Sequence, residues 1–247
     1  MADWPAGVQR VVLDEVDSTS SEARRRLGQG NAWIMARVQT AARGRRGRVW
    51  HAPSGNFMAS LLLQVNAPAQ QAAQRSFVAA LALFDTLVSL TGQPDIFTLK
   101  WPNDVLARGQ KLAGILLETS GSGAQVGHLI IGIGVNLAHA PGAETLETRA
   151  MPPISLRQAT GQDITSDDFL NTLAHAYQRR EAQFSNYGFQ SIRADWLAHA
   201  ANLGATITAR LGDREIVGMF ETLDADGALL LRNAQGTQTI AAADIYF

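Results

Sequence analysis

Apolar and polar positions alternate in short runs through the first third of the chain, and the alternation predicts strands over residues 8–16, 34–38 and 56–65. Between the first two, Asp17-Ser18-Thr19-Ser20 opens a helix predicted to end near Gly28; Thr19 and Glu22 have the spacing of a capping box, which by itself explains the segment. The period then changes. Phe77, Leu81, Phe84 and Val88 recur at spacings of 4, 3 and 4, one face of a helix over 70–90 with Gly92 as its stop. Strand signals resume at 96–101, 111–118 and 126–135. The Ala-, Pro-, Gly- and Thr-rich stretch 138–153 reads as a loop, and helices follow over 167–184 and 189–200.

The tail from Thr206 to Phe247 has a different texture. Short β-rich runs (206–208, 215–217, 228–231) are separated by turns at Gly212-Asp213 and Asp226-Gly227, the pattern of a small separate β-barrel. Strands, helices and then a β tail make the chain α+β, without the strict alternation of a doubly wound sheet. The expected division is 1–200 and 201–247.

Charge narrows the function classes. Lys and Arg number 21 against 22 Asp and Glu, a formal net charge of -1, whereas a protein that coats nucleic acid or anionic membranes is usually basic overall. Anion binding must then come from a local cluster. The chain has no cysteine, which excludes disulfides, zinc ribbons and thiol nucleophiles. The start, Met-Ala-Asp-Trp-Pro, lacks a signal-peptide pattern and no apolar run reaches the ~20 residues that cross a bilayer. A cytoplasmic protein with no membrane partner is expected.

The local cluster is Arg43-Gly44-Arg45-Arg46-Gly47-Arg48, followed by Val49-Trp50. Four mutually repelling arginines do not pack in a core. Glycines let backbone N–H groups converge on an anion, and guanidinium groups match phosphate or carboxylate. Such a loop is expected to be mobile until a polyanion arrives; a solvated strip touching RNA accounts for it equally well. Lys100-Trp101-Pro102-Asn103-Asp104 is more specific. Proline ends a strand and holds an amide and a carboxylate at its tip, where Asn can read an adenine edge and Asp can position magnesium or ribose, although both types also cap ordinary turns. Lys111 opens an apolar strand that contains Gly114, and Ile131-Gly132-Ile133-Gly134-Val135-Asn136 carries glycines where a close neighbour is expected, with Asn136 at the strand end.

Taken together and in order, Asp17-Ser-Thr-Ser20, Gln39 leading into Arg43-Gly-Arg-Arg-Gly-Arg-x-Trp50, Lys100-Trp-Pro-Asn-Asp-Val, Lys111-Leu-Ala-Gly-Ile-Leu-x-Glu118 and Gly134-Val-Asn136 closely resemble the biotin–protein ligase family over about residues 11–136. The β tail resembles that family's SH3-like C-terminal barrel. The resemblance implies a mixed sheet with flanking helices, related to class II aminoacyl-tRNA synthetases, and an enzyme that uses ATP and Mg2+ to convert biotin to biotinyl-5'-AMP. Transfer to a lysine of a biotin carboxyl carrier protein, in acetyl-CoA carboxylase or a related carboxylase, would follow. Lipoate–protein ligases share the fold and the chemistry, and a non-catalytic biotin-binding regulator is a further alternative.

By the same resemblance, Ser18, Thr19, Gln39, Arg43, Arg45 and Lys111 fall at biotin-binding positions, and Arg46, Arg48, Trp50, Asn103 and Asn136 on the ATP and adenylate side. Lys111, Arg45 and Asp104 are the catalytic candidates, with Asp104 also the candidate magnesium ligand and the nearest candidate base. Ala42 departs from the family pattern, where glycine is common, and would strain the loop if its φ were positive. No helix-turn-helix precedes the matching region, so no DNA partner is expected. A free sheet edge could pair two copies into a homodimer.

Overall fold

The computed structural model describes residues 4–51, 53–122, 125–142, 151–212 and 214–246. The first strand, β1 (Gln9–Val16), runs parallel to β2 (Ala32–Gln39), and α1 (Thr19–Arg25) crosses between them. Then β3 (Phe57–Pro68) leads into the long helix α2 (Ala69–Thr91), which Gly92 ends in the left-handed region at φ 69° as expected. Next come β4 (Phe97–Lys100), β5 (Asp104–Ala107), β6 (Gln110–Ser122) and β7 (Gln125–Val135). The seven strands form one mixed sheet in the order β1-β2-β3-β7-β6-β5-β4. β5 was not separated in the sequence reading, because four residues between two turns carry too little periodicity to register.

Of the expected loop 138–153, residues 143–150 lie outside the described set. Just beyond it, α3 (Leu156–Thr160) is a helix that the sequence reading missed; Ser155 and Gln158 form its capping box. Then come α4 (Ser166–Tyr187) and α5 (Phe189–Ala198), close to the expected bounds. By length and composition α2 could cross a membrane, contrary to the expectation that no run is long and apolar enough, but two-thirds of its apolar window is buried against the sheet, α4 and α5. Phe77 meets Phe189 at 5.2 Å and Trp196 at 5.5 Å, and Phe57 meets Phe169 at 4.8 Å, edge-on or tilted as aromatic quadrupoles prefer.

The tail folds as expected into a second, antiparallel sheet: β8 (Thr206–Leu211), β9 (Arg214–Leu223), β10 (Leu229–Asn233), β11 (Gly236–Ile240) and β12 (Asp244–Tyr246), ordered β11-β10-β9-β8-β12. It is fastened to the larger sheet. Buried Trp101 donates its indole N–H to Gly227 O at 3.0 Å, and Gly227, at φ 91°, lets Phe77 pack where a Cβ would come within 2.7 Å. The outer side of β4 is covered as well, Leu99 exchanging backbone hydrogen bonds with His199 and Ala201. Asp244, Ile245 and Tyr246 of β12 line the same cavity as Lys100 at the C-terminal end of β4 and Asp104 at the N-terminal end of β5.

Candidate active site

A cavity of about 990 Å3 opens between the glycine strands β6 and β7, α1, the arginine loop and β12. Its apolar floor exists because two glycines are missing side chains. A Cβ on Gly134 would lie 2.5 Å from Trp50 Cε2, and one on Gly114 would lie 3.1 Å from Cζ3 of the same ring. The close neighbour of Gly114 and Gly134 is therefore Trp50, whose ring also faces the Lys111 ammonium at 5.8 Å from its centroid, whereas that of Gly132 is Ser20.

At one end of the cavity α1 begins. The expected capping box is not formed: the N-cap is Ser18, with no side-chain cap, and Glu22 bonds Arg25 and Arg26. Gln39 takes over instead, its Oε1 accepting the Thr19 backbone N–H at 2.6 Å. Because that partner is a donor, the amide's orientation is settled and Nε2 is the end left to donate. Thr19 and Ser20 turn their hydroxyls to Ser60, at 2.9 and 3.0 Å, and all of Ser18, Thr19 and Ser20 are buried at the cavity wall.

The arginine loop differs from expectation. It is a closed hairpin rather than an open strip: Gly44 N–H donates to Arg48 O at 2.7 Å and Trp50 N–H to Ala42 O at 3.1 Å. The positive φ falls on Arg46, at 57°, and on Gly47, while Ala42 is outside that region, so the feared strain at Ala42 does not arise. A non-glycine residue there costs about 1–2 kcal/mol. Arg46 turns away from the cavity, and its guanidinium and that of Arg48 share one carboxylate oxygen of Asp244 on β12, at 2.6 and 3.1 Å. Arg43 reaches Ser21 Oγ at 3.2 Å.

At the other end, the turn after β4 brings Lys100, Asn103 and Asp104 to the cavity, and the β5–β6 hairpin sets Lys111 Nζ 2.7 Å from Asp104 Oδ1. Asn103 uses its amide structurally: Oδ1 accepts from Arg45 Nη1 at 3.1 Å and Nδ2 donates to Ile115 O at 2.6 Å. Asn136 donates to Ile154 O, and its Oδ1 is buried without a partner, an acceptor awaiting a donor.

Among the described residues, the charged groups lining the cavity are Arg43, Arg45, Arg48, Lys100 and Lys111 against Asp104 and Asp244. This is the local positive cluster that the near-neutral chain requires. Burial works against two of the cations, lowering the pKa of both Arg45 and Lys100; Asp244 and Asp104 offset it for Arg45, and Asp104 offsets it for Lys100. Desolvated cations in excess over carboxylates favour an anionic ligand. Of the biotin-binding, nucleotide-binding and catalytic candidates, Arg46 alone is not on the cavity wall. Those the sequence reading left without a role are Ser20, Ser60, Lys100 and Asp244. Ser20 and Lys100 sit inside quoted motifs, whereas nothing local marks Asp244.

The chain matches the biotin/lipoate A/B protein ligase family over residues 14–136 and the biotin protein ligase C-terminal domain over 203–247. It is 50% identical over 238 residues to a biotin–[acetyl-CoA-carboxylase] ligase of Paracoccus denitrificans, covering 96% of this chain and 99% of that one. The bifunctional ligase/repressor BirA of Bacillus subtilis (strain 168) is 32% identical, with 96% of this chain and 74% of that one covered. A biotin protein ligase structure from Aquifex aeolicus in complex with biotin and ATP superposes with a TM-score of 0.82 at 27% identity, over 96% of this chain and 97% of that one.

Proposed function

Since this chain belongs to the biotin–protein ligase family, we propose that its cavity holds biotin at the α1 end and ATP at the Lys111 end, and that the basic loop spans the two. The observation that carries this reading is the continuity of the cavity: buried hydroxyls and an amide at one end, Lys100 and Lys111 beside a carboxylate at the other, and Arg45 held on Asn103 by a hydrogen bond. Residues 1–200 form the catalytic domain in this reading, and 201–247 the small C-terminal domain that lends β12 to the site.

Two anions must meet in the first step. The biotin carboxylate attacks the α-phosphate, pyrophosphate leaves, and charge grows on the phosphate oxygens. Lys111, Lys100 and Arg45 lie where they would neutralise it, and the desolvation of Lys100 and Arg45 makes their interactions stronger than they would be in water. Ser18, Thr19 and Gln39 bind the ureido ring; Arg43 and Arg48 close over the reacting groups. Arg46 acts through Asp244 rather than on the nucleotide, and Asn103 acts by holding Arg45. The unpartnered Asn136 Oδ1 suits the adenine amino group, and Trp50 supplies the flat apolar surface beneath the adenylate.

No three His, Cys, Asp or Glu side chains gather as a metal site among the described residues. Magnesium commonly binds through one or two carboxylates plus substrate phosphates, so Asp104 fits as the single protein ligand. The ion would supply charge neutralisation for the departing pyrophosphate. In the second step a carrier-protein lysine attacks the mixed anhydride and AMP leaves; Asp104 is the nearest group that can take the proton, once Lys111 has turned to phosphate. The carrier is the biotin carboxyl carrier domain of acetyl-CoA carboxylase or a related carboxylase, met in the cytoplasm. DNA has no part in the proposal. The exposed edge strand β1 is the surface through which two copies would pair.

The test is direct. Purified protein, ATP, magnesium, labelled biotin and a carrier domain should give labelled carrier and AMP, and labelled lipoate in place of biotin should give neither. Label transfer from lipoate but not from biotin would reverse the assignment.

A further inference from the structure

Ser60 lies on β3 with no exposure, paired across the sheet with Gly132 of β7. Its Oγ touches two hydroxyls of α1 that line the cavity, Thr19 Oγ1 at 2.9 Å and Ser20 Oγ at 3.0 Å. Gly132 makes room for this contact, since a Cβ there would lie 2.8 Å from Ser20 Oγ.

Counting hydrogens restricts what the pair can offer a ligand. A hydroxyl has one hydrogen and two lone pairs. Ser60 can donate to only one neighbour, so for both contacts to be hydrogen bonds the other neighbour must donate to Ser60. Its own hydrogen has no other partner in this solvent-free position, and leaving it unbonded is costly, so it goes to the remaining hydroxyl. One of Thr19 and Ser20 therefore spends its hydrogen inward and shows the cavity lone pairs only. The other accepts from Ser60 and keeps its hydrogen for the cavity. Without Ser60 each hydroxyl could turn either way.

We propose that Ser60 is a positioning residue that makes this wall present one hydroxyl as donor and the other as acceptor. The wall thereby selects a head group with an N–H donor and a C=O acceptor side by side, the pattern of a cyclic urea. This rests on the reading that the ureido ring of biotin binds at the α1 end.

The experiment measures affinities of the full chain for biotin, desthiobiotin and 2-iminobiotin by competition against labelled biotin, with ATP binding as a control. Desthiobiotin keeps the urea without the sulfur ring; 2-iminobiotin replaces the urea oxygen by nitrogen and loses the acceptor. Ser60→Ala should weaken biotin and desthiobiotin together by about tenfold, the cost of roughly one misdirected hydrogen bond. It should change 2-iminobiotin by less than about twofold and leave ATP binding unchanged. An equal loss for all three, or no loss for any, overturns the proposal. If Ser60→Ala does not fold, Ser60→Cys, a weak donor, decides: a narrowed biotin-to-iminobiotin ratio supports the role and an unchanged ratio overturns it. Thr19→Val tells the two levels apart. If it leaves biotin affinity intact, the ureido placement itself is wrong; if it weakens biotin while Ser60→Ala does nothing, only the role of Ser60 falls.

Discussion

Lys111 Nζ stands 2.7 Å from Asp104 Oδ1 across the β5–β6 hairpin, with the Trp50 ring centroid 5.8 Å from the ammonium. The pair is partly exposed, so the attraction is screened and adds little to stability. Its value is positional: the carboxylate holds a lysine at the cavity until phosphate offers more charge. Half-buried Lys100 feels the same carboxylate.

Lys111→Ala should leave the fold intact and reduce adenylate formation by about 10²–10³, the usual effect of removing one preorganised charge from a phosphoryl-transfer site. ATP–pyrophosphate exchange measures this step alone. A near-normal rate would take Lys111 out of the chemistry.

Gly134→Ala is a single methyl in a strand, yet it collides with Trp50 at 2.5 Å. Displacing or straining the ring should cost about 1–3 kcal/mol, as overpacking does, and should raise KM for ATP. The double variant Gly134→Ala/Trp50→Ala should regain the lost thermal stability but not the KM. If the double variant stayed as unstable as the single one, Trp50 would not be what the glycine accommodates.

Asp244→Ala removes the carboxylate that Arg46 and Arg48 share. The hairpin loop should then loosen, with trypsin cutting within 43–48 several-fold faster in the absence of ligand. Saturating biotin and ATP should restore protection. Arg45→Ala, by contrast, should speed biotin dissociation and leak adenylate; an unchanged off-rate would contradict the role of the loop as a cover.

Asp17 sits at the start of α1, and its carboxyl pKa is lowered from 3.8 to about 2, first by hydrogen bonds from Arg25 and then by the Ser18 backbone N–H. A depressed folded-state value means the ionised form is favoured by folding. The contribution is thus complete above pH 4 and disappears as pH falls through about 2. Asp17→Asn should lower the urea midpoint relative to wild type at pH 5, and the gap should shrink steadily as pH falls from 4 towards 2. Because the group is exposed the gap will be small, and a gap as large at pH 2 as at pH 5 would assign it to something other than this ionisation.

Local chemistry determined much of this protein from its sequence. The period change at 70–90, Gly92 as a helix stop and the turns of the tail follow from backbone and burial rules that act within a few residues, and the elements appear close to where those rules put them. The ordered motifs were legible for the same reason, since each cluster of charged and small residues is contiguous. What the tertiary structure alone decided is which groups share a partner. Asp244 is nearly two hundred residues from the arginines it holds, and Ser60 is forty from the hydroxyls it orients. The start of the first helix was placed correctly but its cap was misread because Thr19 and Glu22 have capping spacing, whereas Gln39 and Ser60, brought in by β2 and β3, compete for Thr19 and win. The strand glycines pointed to close neighbours without identifying them; only the packed sheet shows that they are Trp50 for Gly114 and Gly134 and Ser20 for Gly132. Hydrogen bonds and steric fit are short-ranged in space, not along the chain, so a one-dimensional reading detects the need for a partner before it can say which residue meets it.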